Sequence, residues 1–200
     1  MSDTRIMFER LKKALEKRFT GEDVNPIAEI LFAASESGRI TYDEPEIRDE
    51  VKDDLFILLE KERLLIPART SRSLAWEDRM MVLRPGEIFE VPNAILLLIR
   101  YAKETGEWKP YHAIKAYLED IGEKSPEIIL SIFKEIKGDA KGLMVTPEHL
   151  LRAADELNLT TEIGRIIAEL KGGGIISPCL RDPSHLLYEI NPSLIEKHAT

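Results

Sequence analysis

Two stretches of this 200-residue chain, LLEKERLLIPARTS and IAELKGGGIISPCL, line up as helix end, apolar strand and the start of a polar hairpin, with Pro67 beside Pro178. A repeat of that kind limits the architecture more than any composition value. The period is the size of one small domain, too long for a solenoid unit, so it implies a divergent duplication into two related units.

The apolar spacing fills in the elements around this repeat. Phe8, Leu11, Leu15 and Phe19 make one helical stripe with Lys12, Lys13, Lys17 and Arg18 beside it. Asn25-Pro26 opens a second helix carrying Ile27, Ile30, Leu31 and Ala34, and Gly38 closes it. Residues 39–42 read as a short strand. A helix buried through Val51, Leu55, Leu58 and Leu59 follows, then strands at Leu64–Ile66 and Met80–Leu83 on either side of ARTSRSLAWEDR. The second half has the same order. Its helices carry Ile129, Ile132, Phe133 and Ile136; Leu150, Leu151, Ala154 and Leu157; and Ile163, Ile166, Ile167 and Leu170. Leu143–Val145 supplies a short strand. After Gly172-Gly173-Gly174, Ile175-Ile176 and Leu186–Ile190 flank an Arg181–Ser184 turn as a second hairpin.

The expected fold is therefore mostly α with small β-hairpins (α+β), two winged helix-turn-helix units joined by a helical connector. The expected divisions are an N-terminal amphipathic helix over 1–21, a first unit over 22–92, a connector over 93–122 and a second unit over 123–200. The connector's two helices, 93–104 and 110–121, are open to three roles: spacer, extra core or dimer surface. By element order and wing placement, over about three quarters of its length, the chain resembles the winged-helix superfamily, as a tandem protein of thermophilic or archaeal character; it carries no signature of a specific family. Small acidic tandem proteins such as the chromosome segregation and condensation protein B family are similar in plan. The resemblance implies transcription regulation through DNA, and it does not by itself assign a function.

Composition narrows the classes. Among 200 residues there is no Gln, only four Asn, and 32% are charged, a bias that suits thermophilic proteins. The longest apolar run, Val91 to Ile99, is too short for a membrane span, and the charged N-terminus lacks a secretory leader's apolar block. With Cys179 the single cysteine, no intramolecular disulfide forms. A cytoplasmic protein with no membrane association is expected. The net charge of −8 opposes nucleic acid unless cations cluster.

No motif carries enzyme chemistry. His112, His149, His185 and His198 fall in separate elements, and Cys179 has no partner for a redox or metal motif. Gly122-Glu123-Lys124-Ser125 lacks the upstream glycine of a phosphate loop and reads as a turn between helices. The acids Asp43, Glu44, Glu46, Asp49, Glu50, Asp53 and Asp54 fit a solvated helix start better than a cation loop. Neither catalysis, nor a cofactor, nor a metal is expected.

Recognition of DNA in the major groove calls for Arg, Lys, Asn or Gln on the third helix of a unit. The second unit offers Glu162, Arg165 and Glu169 there, and acids dominate the first. The first wing differs. Arg69, Ser71, Arg72, Ser73 and Arg79 surround Trp76 and are the nucleic-acid-binding candidates, since arginines and hydroxyls hold phosphates. The leading expectation is a DNA-associated regulator that contacts double-stranded DNA through this wing, as a homodimer if two weak patches are to act together. The alternative is an acidic scaffold that binds a protein partner and no nucleic acid.

Overall fold

A computed structural model describes residues 3–68, 75–140, 142–179 and 186–196. The chain is mostly α with two small antiparallel sheets. Helices α1 (Asp3–Glu16) and α2 (Val24–Ser37), strand β1 (Arg39–Thr41), helix α3 (Asp49–Lys61) and strands β2 (Ile66–Pro67) and β3 (Ile88–Glu90) form the first half. Helices α4 (Asn93–Thr105) and α5 (Pro110–Asp120) follow. The second half comprises α6 (Pro126–Asp139), β4 (Met144–Val145), α7 (Pro147–Asp155), α8 (Ile163–Gly172), β5 (Ile176–Cys179) and β6 (Leu187–Ile190). Both sheets place the last strand centrally, in the orders β1-β3-β2 and β4-β6-β5.

Local chemistry sets these elements. Asp23 accepts the Asn25 N–H to cap α2, and Gly38, at φ 77°, ends it in the left-handed region. Thr146 and His149 form a reciprocal capping box on α7. In the second half, α7 and α8 make a helix-turn-helix whose turn holds Asn158 at φ 58°. In the first half the place of α7 is taken by a turn around Pro45, so α3 stands alone before its hairpin.

The repeat extends into the backbone. Arg63 and Gly174 occupy equivalent corners after α3 and α8, and both have positive φ, 51° and 66°. At these corners Leu64 N–H donates to Leu59 O and Ile175 N–H to Leu170 O, each at 2.9 Å. In register, Ile66 pairs with Glu90 and Pro67 with Phe89, while Ser177 pairs with Glu189 and Pro178 with Tyr188. Pro67 and Pro178 therefore match in three dimensions.

The corners also pack on each other reciprocally, as the two faces of a two-fold interface would. Ala94 N–H donates to Gly173 O at 2.9 Å. On the other side Ser193 Oγ donates to Glu62 O at 2.6 Å. Between them, fully buried Asn191 donates through Nδ2 to both corner carbonyls, Arg63 O at 3.2 Å and Gly174 O at 3.0 Å. One contiguous apolar cluster runs through both halves. Helices α4 and α5 belong to it through Ile95, Leu98, Ile99, Ile114 and Leu118, so they contribute to the core.

Three elements depart from the expectation. Met80–Leu83 is no strand, and Met80 is 74% exposed. The returning strand is β3, because Arg84-Pro85-Gly86-Glu87 forms a turn, with Gly86 at φ 82°, that brings Ile88–Glu90 between β1 and β2. In α7 Leu151 faces outward, as does Leu157 just beyond the helix end, while Leu150, Ala153 and Ala154 are buried. In α3 Leu59 is buried as expected, but its companions are Lys52 and Phe56, one position round from Val51 and Leu55 of the predicted stripe. Lys52 is accommodated there by its aliphatic stem, with its ammonium 5.4 Å from the centre of the Tyr42 ring.

Candidate interaction surfaces

The rotation of α3 leaves an apolar stripe open. Val51, Leu55 and Leu58, at i, i+4 and i+7, lie beside Ile47 and Pro26 as the floor of a groove of about 480 Å³ between α3 and the start of α2. Val51 is 38% exposed. Around the floor stand Glu22, Asp23, Glu29, Glu46 and Asp54, against the single cation Arg48. Glu22, Glu29, Glu46 and Asp54 have no ion-pair partner among the described residues. An apolar floor within carboxylates attracts a segment that is apolar on one side and basic on its flanks.

Three other acids of this region have structural work. Asp43 accepts the Gly86 N–H at 2.6 Å, which holds its carboxyl below the usual carboxylate range. Glu44 accepts from Thr41 N at 3.1 Å. Asp53 accepts the Tyr42 hydroxyl at 2.5 Å, and that bond pushes the phenol up to about 12. Among the described residues no cluster of His, Cys, Asp and Glu is placed to hold a metal.

Of the wing candidates, Arg69, Ser71, Arg72 and Ser73 lie outside the described residues. Arg79 does not belong to an open wing. Its side chain is 6% exposed, pairs with Glu90 at 2.5 Å and donates to Pro67 O at 3.2 Å, so it fastens the hairpin to the central strand. The equivalent glutamate of the second sheet, Glu189, is held in the same way by Arg63. Trp76 is buried in a 3-10 turn under the Arg63 guanidinium, and its backbone N–H donates to Ser177 Oγ at 3.0 Å. It packs across the two halves.

The helix faces that would meet a major groove are acidic. On α8, Arg165 is taken up by Glu162 at 2.5 Å, Glu169 at 2.7 Å and Glu123. The bonds from Glu162 first, then Glu169, raise the guanidinium's pKa further. On α3, Asp49, Glu50, Asp53 and Asp54 are exposed. Such faces repel phosphate.

The other singled-out residues that the structure describes have structural roles. His112 stacks on Tyr101 with ring centres 4.2 Å apart, and His149 caps α7. His185 and His198 lie outside the described residues. Buried Cys179 reaches Glu77 at 3.4 Å. Gly122–Ser125 is the turn from α5 to α6, in which Glu123 accepts the Ser125 N–H at 2.8 Å. Among the described residues no helix is long and apolar enough to cross a membrane.

No curated protein and no solved structure matches the chain. Residues 9–198 match the model of an uncharacterised protein family, and the chain belongs to that family.

Proposed function

We propose that this protein is a tandem winged-helix interaction module that captures a basic amphipathic helix of a partner protein in the groove between α2 and α3. The groove's unpaired carboxylate rim around an i, i+4, i+7 apolar floor carries the reading. The helix-turn-helix before the hairpin of the second half and the 1-3-2 strand order of both sheets support the winged-helix assignment. The chain's own basic helix is not the occupant in a second copy, because Leu11, Ala14 and Leu15 of α1 are already fully buried in the core. DNA recognition is the less favoured use, since the α3 and α8 faces are acidic and Arg79 is committed to Glu90.

The test uses the full chain with three probes at low and moderate salt: a helical Leu/Lys peptide, a Leu/Glu peptide of the same pattern, and duplex DNA. The Leu/Lys peptide should bind, more weakly as salt rises, and Leu55→Lys should weaken it about tenfold or more by placing a cation in the floor. Arg69→Ala/Arg72→Ala should leave that binding unchanged. Salt-dependent DNA binding lost in Arg69→Ala/Arg72→Ala, with no peptide binding, would overturn the proposal in favour of the wing.

A further inference from the structure

On the line between the two halves, away from the groove, lies a cleft of about 540 Å³. That volume suits a small molecule. Its charged walls come from both halves: Arg39 and Arg79 from the first, Lys171 from the end of α8, with Glu90 the one acid. Three cations to one carboxylate is a marked local excess in a chain of net charge −8.

Two of these cations are uncommitted. Arg39 and Lys171 make no side-chain hydrogen bond or ion pair among the described residues. The third is incompletely satisfied. Arg79 uses Nη1 for Glu90 and Pro67 O, but its Nε is buried with no acceptor. Leaving such a group unpaired is costly, and an acceptor in the cleft would relieve it. From the start of α4 the cleft takes Pro92 and Asn93, but the Ala94 N–H is already given to Gly173 O, so the positive field of the cleft comes from its side chains. Ile66, Val91 and Leu96 give the cleft an apolar wall.

We propose that this inter-repeat cleft binds a phosphorylated small molecule, its phosphate held by Arg39 and Lys171 and its body against Ile66, Val91 and Leu96. A dianion matches two free cations better than a single carboxylate does. The concave shape favours a metabolite over a nucleic-acid backbone, because the flanking α3 and α8 faces are acidic. Since Arg39 and Lys171 belong to different repeats, the ligand bridges them and steadies their mutual packing. The site does not depend on the groove reading.

Calorimetric titration of the full chain with inorganic phosphate, AMP, ATP, a sugar phosphate and a short DNA duplex tests this. At least one phosphorylated small molecule should bind more tightly than inorganic phosphate and raise the melting temperature. Arg39→Ala and Lys171→Ala, each changing an unpaired side chain and each checked for native helicity, should weaken it about tenfold or more. Leu55→Lys, in the groove, should leave it unchanged. Binding of inorganic phosphate alone, binding indifferent to both substitutions, or no binding at millimolar ligand would overturn the proposal. Duplex DNA binding that depends on Arg39 and Lys171 without any small molecule would overturn it too, and would assign the phosphate to a nucleic acid.

Discussion

Replacing Asn191 probes the joint between the repeats at its most confined point. The residue is 0% exposed, donates to Arg63 O and Gly174 O, and accepts the Ser193 N–H at 2.9 Å. Asn191→Ala strips three buried backbone groups of a partner. At about 1–3 kcal/mol for each stranded group, and allowing for relaxation, the loss should be about 3–5 kcal/mol, a large part of a typical domain's ~5–15 kcal/mol. Asn191→Asp separates polarity from shape. The Ser193 bond survives, but an ionised carboxylate faces two carbonyl oxygens with no proton to give. Its pKa in the folded protein must rise above the ordinary ~3.9. The protonated form is then the stable one, so this variant's deficit against the native protein should be least below pH ~4, grow as pH rises through the raised folded pKa, and level off above it. Urea unfolding of the three proteins at pH 5 and pH 8 measures both quantities. A loss under ~1 kcal/mol for Asn191→Ala, or a pH-independent deficit for Asn191→Asp, would refute the claim that this amide joins the corners.

Glycine substitutions test the same joint sterically. At Gly174, a Cβ would lie well inside 3.0 Å of Pro92 Cβ, and φ is +66°, so Gly174→Ala should cost about 2–4 kcal/mol from left-handed strain plus overpacking. Gly138, exposed on α6 with nothing within 4 Å of an added Cβ, provides the opposite case: Gly138→Ala should stabilise by about 0.5–1 kcal/mol, and denaturant midpoints of the pair should move apart. The Tyr42–Asp53 bond predicts an alkaline effect. Because the folded phenol is raised to about 12, its contribution is complete below the unfolded value near 10 and fades as pH climbs through the folded one. The stability gap between native protein and Tyr42→Phe should therefore narrow only above pH ~10; a gap that narrows already at neutral pH would contradict the bond.

Much of the scaffold is legible in the chain because it is local. The left-handed Gly38 and Gly106, the Thr146-Pro147 helix start and the Ile129–Ile136 stripe each specify their element within a turn or two. The failures are where long-range contacts choose among local options. Met80–Leu83 has strand composition, but the turn at Pro85-Gly86, held through Asp43, delivers Ile88–Glu90 to the sheet instead. The α3 stripe was read as core because Val51, Leu55, Leu58 and Leu59 have the right spacing; Leu59 is buried, but Phe56 stacking on Phe89 and Tyr42 outcompetes the other three, and only that rotation exposes the groove. Arg79 looks like a wing cation until Glu90 is seen opposite it.

What the sequence determined by itself is the pair of repeats: the matching helix ends, apolar strands and prolines required two units of one plan, since capping and periodicity act over a few residues. How those units meet was decided by the tertiary structure. The corner carbonyls of Arg63 and Gly174, the amide of Asn191, and the inward turn of Arg79 are far apart in the chain. Buried polar groups must find partners wherever packing brings them, and which donor reaches which acceptor is a property of the assembled core.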